Sequence, residues 1–84
     1  MELKKKNILF NTNIKESLEN FCHIAENEPF DIIVKNDKYI INAKYILGIL
    51  NLNLKEKVIL EYQGPTNYAD CFFAKIQPYV IFID

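Results

Sequence analysis

The sequence predicts an α+β domain, an antiparallel four-stranded sheet with helices on one face. Three observations predict it. Short β-branched or alternating runs are interleaved with amphipathic stretches of helical period, in the order β-α-β-β-α-β-α. Two of the strand runs flank the polar pair Asn36-Asp37, which reads as a hairpin and so makes its strands antiparallel. The 84 residues, half of them hydrophobic, suffice for one globular domain, expected over residues 1–84, and are too few for two.

The elements follow in order. Leu3 to Phe10 reads as a strand with Ile8 and Phe10 on one face, ended by the polar break Asn11-Thr12-Asn13. Ile14 to Asn27 carries Ile14, Leu18, Phe21, Cys22 and Ala25 on one helical stripe. Glu16 and Glu19 sit near its start, where the helix dipole favours negative charge, and Pro29 closes it. Asp31 to Lys35 and the run starting at Tyr39-Ile40-Ile41 form the hairpin. Ala43 to Leu52 reads as a short helix through Ile46, Leu47, Ile49 and Leu50. After Lys55-Glu56-Lys57 comes the strand Val58 to Tyr62. Gly64-Pro65-Thr66-Asn67 ends that strand and offers Thr66 or Asn67 as a helix cap. Tyr68 to Gln77 is a last helix with Tyr68, Cys71, Phe72 and Ile76 inward, stopped or kinked by Pro78. The tail Tyr79 to Ile83 is strongly β-like. Such a sheet leaves one face that is polar or covered by a partner.

Composition excludes several functions. A net charge of −1 gives no large attraction to nucleic acid. The ten basic residues are all lysines, and only guanidinium offers the planar fork that grips phosphate or guanine in two bonds. Lys4-Lys5-Lys6 reads as a solvated strand end. No leader and no apolar run of membrane-spanning length is evident, so the expected location is the cytoplasm. Cys22 and Cys71 lack the spacing of a redox pair or zinc site and lie in apolar helical patterns, which predicts buried reduced thiols. His23 stands without a cysteine cluster, so no metal is expected, and no cofactor. There is no paired-carboxylate site, no nucleophile with an adjacent base and no glycine-rich phosphate loop, Gly48 and Gly64 being the only glycines, so no enzyme is expected. The richness in Ile, Lys and Asn suggests a bacterial genome of low GC content.

The stretch from Asp31 to Gly64 is more specific. Asp31-Ile32-Ile33-Val34-Lys35-Asn36-Asp37-Lys38-Tyr39-Ile40-Ile41 followed by Asn42-Ala43-Lys44 and Ile46-Leu47-Gly48-Ile49-Leu50 resembles the central hairpin and second helix of HPr, the histidine-containing phosphocarrier of the bacterial sugar phosphotransferase system. Leu54-Lys55-Glu56-Lys57-Val58 resembles the link into that family's fourth strand, whereas Tyr79 to Asp84 departs from its long acidic last helix. The resemblance implies an HPr-like open-faced sandwich. It also implies two phosphorylation sites, a histidine opening the first helix beside an arginine, and a serine at the start of the second.

Neither site has its residues here. Counting back from Asp31 puts Ile14 at the histidine and Glu16 at the arginine; a one-residue shift puts Lys15 and Ser17 there. The nucleophilic imidazole and the guanidinium that would hold the phosphate are both missing, and a glutamate beside a phosphoryl group repels it. The serine position is Tyr45. His23 lies mid-helix, where backbone amides are already bonded and cannot cradle an anion. The expected role is therefore protein binding or regulation around the phosphotransferase system, with Ile14, Ser17, Leu18, Tyr45, Ile46, Leu47 and Leu50 as the docking positions that the resemblance implies. Two alternatives stand beside it: an atypical carrier phosphorylated on His23, Lys15 or Tyr45, and an assembly module whose β-like tail pairs with the sheet edge of another copy. The sequence sets no oligomeric state.

Overall fold

The structure, a computed structural model, describes residues 3–83. Met1, Glu2 and Asp84, the ends of the expected 1–84 domain, lie outside the described residues. The elements are β1 (Lys4–Phe10), α1 (Ser17–Glu26), β2 (Asp31–Lys35), β3 (Ile40–Asn42), α2 (Ile46–Ile49), β4 (Val58–Gln63), α3 (Thr66–Lys75) and β5 (Val80–Ile83). The sheet has five strands in the order β3-β2-β4-β1-β5, every pair antiparallel. The expected four-stranded sheet is thus one strand short. The tail folds back as β5 onto β1 of its own chain, Phe10 opposite Val80 and Asn7 opposite Ile83. The helix before it ends at Lys75, short of the expected Gln77, and a turn carries the chain through Pro78: the Tyr79 N–H donates to the Ile76 carbonyl, and the Tyr79 carbonyl accepts the Asn11 N–H.

Alternation within the strands sorts side chains onto two faces. Ile8, Phe10, Ile32, Val34, Val58, Leu60, Tyr62 and Val80 are buried on the helix side. An unbroken series of aromatic pairs runs through that core. Phe10 meets Phe21 at 5.1 Å, Phe21 meets Phe72, and Phe72 meets both Tyr62 and Phe73. From there the series reaches Phe82 on one side and Phe30 and Tyr68 on the other. The lysine cluster divides between the faces. Lys5 stands opposite Glu61 on the open side, while Lys6 lies over the Phe73 ring on the helix side.

The open face carries Lys5, Asn7 and Leu9 of β1, Asp31, Ile33 and Lys35 of β2, Ile59, Glu61 and Gln63 of β4, and Ile81 and Ile83 of β5. It mixes apolar and polar side chains, most of them half-buried. Glu61 is buried there and ion-paired with Lys35.

Helix boundaries and faces differ from the sequence reading in three places. α1 starts at Ser17, not Ile14, because Glu16 takes the left-handed conformation (φ 60°) and breaks the helical path. Leu18, Phe21, Cys22 and Ala25 keep the expected stripe. α2 is a single turn, not a helix from Ala43 to Leu52. The Asn42 side chain accepts the Lys44 N–H at 2.8 Å and holds residues 42–45 in a turn, competing with helix. α3 begins at Thr66 with Pro65 in the capping position, so Thr66 and Asn67 lie inside its first turn. Its buried stripe is Ala69, Phe72, Phe73 and Ile76, which turns Tyr68 and Cys71 outward. Gly64 precedes it, and a Cβ there would come within 2.6 Å of the Phe30 ring. Among the described residues no helix is long and apolar enough to cross a membrane.

Candidate functional site

The loop from Asn11 to Glu16 is where the resemblance places phosphate chemistry. Asn11 organises it: its side-chain oxygen accepts the Asn13 N–H at 3.2 Å, and its carbonyl accepts the Ile14 N–H. The Ile14 carbonyl then accepts the Ser17 N–H that opens α1. Residues 12–16 are all exposed. The loop therefore presents Ile14 and Lys15 to solvent with Glu16 beside them, and it contains neither imidazole nor guanidinium.

The second segment explains its own sequence. Asn42 makes the side-chain turn described above. Ala43 is fully buried, and its N–H donates to the Ile32 carbonyl. The Lys44 ammonium reaches the Glu28 carbonyl just past the end of α1, at 3.0 Å, where a cation suits the helix dipole. Gly48 is buried; a Cβ there would stand 2.7 Å from Ile41 and 2.9 Å from the Tyr45 ring. That ring consequently lies against α2 with much of its surface still in solvent.

The seven docking positions separate by exposure. Leu47 (60%), Tyr45 (56%), Leu50 (51%) and Ile14 (42%) are exposed hydrophobic side chains. Ile46 is partly buried against the core. Ser17 and Leu18 are buried. The exposed ones come from the loop before α1 (Ile14) and from α2 and its two flanking residues (Tyr45, Leu47 and Leu50).

Other polar groups leave little trace in the sequence. Glu28 is buried and accepts the Tyr62 hydroxyl proton at 2.7 Å, with the Lys75 ammonium 3.7 Å from its other oxygen. Burial, and then this hydrogen bond, push the Tyr62 phenol well above its usual range. The only hint in the sequence was a glutamate next to Pro29, which does not distinguish a buried carboxylate from a solvated one. His23 is exposed in the last turn of α1. Among the described residues no three His, Cys, Asp or Glu side chains gather to hold a metal. A groove of about 810 Å³ on the open side, bounded by Asn7, Lys35, Tyr39, Lys57 and Ile59, shares no residue with the exposed positions above.

The two cysteines differ. Cys71 is exposed, contrary to the expected burial, because the α3 stripe is rotated by one position. Cys22 is buried, and burial followed by the charges of Glu26 and Glu19 pushes its thiol to about 11. The folded value lies above the unfolded one, so this stabilisation is intact below about pH 9 and is lost as pH rises towards 11. The loss expected across that window is on the order of 2–3 kcal/mol. Urea midpoints at pH 8 and pH 10.5 are expected to converge more in Cys22→Ala than in the parent chain.

The arrangement has a solved counterpart. The crystal structure of a phosphocarrier protein HPr from Bacillus anthracis str. Ames superposes with a TM-score of 0.70 at 20% sequence identity, covering 92% of this chain and 100% of that one. The chain has the HPr fold. No family model and no curated protein sequence matches it. Within the HPr fold, the loop before α1 and the turn of α2 are the two segments to which the resemblance assigns phosphate and partners. β5 lies beyond the β-α-β-β-α-β-α order expected of that fold.

Proposed function

We propose that this chain is a non-phosphorylatable HPr-like protein that acts by binding proteins of the sugar phosphotransferase system or their regulators. The observation that supports the reading is the pairing of an exposed apolar set, Ile14, Tyr45, Leu47 and Leu50, with a loop that lacks imidazole and guanidinium. Loss of the phosphoryl group removes the charge that a carrier passes on. It leaves the hydrocarbon surface through which such a carrier would be held. Apolar anchors in the middle of a contact supply most of the binding energy in interfaces of this kind. The protein then competes with a true carrier for the same partners, as a decoy or a regulatory subunit. Catalysis of its own forms no part of the reading.

Two measurements test it. Intact mass after incubation with phosphoenolpyruvate and the general phosphotransferase enzyme is expected to be unchanged, while a genuine HPr gains one phosphoryl group. Titration calorimetry against that enzyme is expected to show micromolar binding that weakens at least tenfold, about 1.4 kcal/mol, in Leu47→Asp. A stoichiometric mass gain, or binding indifferent to Leu47→Asp, would overturn the proposal.

A further inference from the structure

Gly48 is a residue of α2 whose type the backbone does not explain. Its φ is not positive, so any residue could adopt its conformation. Within a helix glycine is a poor choice, because it gives up the most chain freedom on folding. What the position lacks is room. A Cβ there would stand 2.7 Å from Ile41 Cγ2 and 2.9 Å from Tyr45 Cδ2. An ordinary carbon–carbon contact is about 3.5–4.0 Å.

The two neighbours differ in freedom. Ile41 lies on β3 opposite Val34, and branching at its Cβ stiffens it. Tyr45 lies where the chain enters α2, is 56% exposed, and its side chain caps no helix amide. Its ring therefore lies against Gly48 and Ile41 on one side and meets solvent on the other.

We propose that Gly48 is a positioning residue for docking: its missing Cβ seats the Tyr45 ring, so that the ring meets a partner already ordered. This rests on the docking reading above and names the side chain that docking needs held. Binding costs the freedom of each side chain that it immobilises, and a ring held before contact avoids that cost. Tyrosine is also among the residues that dominate interface energetics. A Cβ at position 48 removes the seat. The ring swings out on its solvent side, because the strand holds Ile41. Stability and binding then move apart. Alanine favours the helical turn and displaces a ring that was already half in solvent, while the docking surface loses an ordered anchor.

Two measurements on Gly48→Ala test this, with Tyr45→Ala beside it. In the free chain, nuclear Overhauser contacts of the Tyr45 ring with residue 48 and with the Ile41 methyl are expected to disappear. The circular dichroism spectrum and urea midpoint are expected to stay close to the parent's. Titration calorimetry against the general phosphotransferase enzyme is expected to show binding weakened about fivefold or more. Added to Tyr45→Ala, the same substitution is expected to have little further effect, since no ring is left to seat. Losses that multiply across the two substitutions, binding that Gly48→Ala leaves unchanged, or ring contacts that survive in Gly48→Ala overturn the proposal. So does a Gly48→Ala chain that fails to fold, which would mean that Gly48 serves the packing of α2 on β3 and not the ring. A parent chain that shows the ring contacts but binds no phosphotransferase protein overturns the docking reading and this role with it. A parent chain that binds but lacks the ring contacts overturns this inference alone.

Discussion

Phe72→Ala is expected to destabilise the fold by roughly 3–5 kcal/mol, the cost of emptying a buried aromatic site. Phe72 is fully buried and is the branch point of the aromatic series, meeting Phe21 at 6.1 Å, Tyr62 at 5.5 Å and Phe73 at 6.0 Å. Truncation removes ring contacts to α1, β4 and α3 at once. The cavity closes poorly because Phe21 and Tyr62 are pinned by further rings on either side. A domain of this size has a total stability on the order of 5–15 kcal/mol, so the variant approaches its threshold at room temperature. Phe30→Ala, at the partly buried end of the series, is expected to cost less than half as much. Urea denaturation of the two variants checks this, and equal midpoints would show that the branch point has no special weight.

Glu28→Ala is expected to cost roughly 2–3 kcal/mol, the size of a charge-assisted hydrogen bond lost with its partner left behind. The Tyr62 ring is fully buried and its hydroxyl donates to the Glu28 carboxylate. Without that acceptor the buried hydroxyl loses its partner, and Lys75 loses its counter-charge. Pairing Glu28→Ala with Tyr62→Phe in a double-mutant cycle isolates the bond, with a coupling of about 1 kcal/mol or more expected. Additive losses would assign the cost of Glu28→Ala to packing. The consequence reaches the candidate site. The backbone of Glu28 also receives Lys44, so the same corner ties the end of α1 to the turn leading into α2.

Correct and incorrect sequence readings divide along physical lines. The strands β1, β2 and β4 and the buried stripe of α1 follow from local periodicity, because alternation or a 3.6-residue repeat already states which side meets a core. The missing imidazole and guanidinium are matters of composition, readable at Ile14, Lys15, Glu16 and Ser17. Correspondence by position places Ser17 and Leu18 in the docking set but says nothing of burial. They open α1 and turn into the core.

Four features were decided only by tertiary structure. In α3 the runs Tyr68-Ala69 and Cys71-Phe72-Phe73 allow two apolar stripes one residue apart, and contact with Phe21 and Tyr62 selects the one that leaves Tyr68 and Cys71 outside. The partner of the β-like tail could not be read locally, since strand pairing joins residues far apart in the chain and β5 found the free edge of its own β1. Glu28 looked like any loop carboxylate until Tyr62 and Lys75 were brought to it. Exposure of Leu47 and Leu50 beside buried Ile49 depends on α2 being a single turn with one side on the core. The sequence by itself determined where most strands and the buried stripe of α1 lie, and that the loop before α1 has neither imidazole nor guanidinium. The tertiary structure decided which surfaces those segments leave open, because that choice rests on contacts between residues with no local relation to one another.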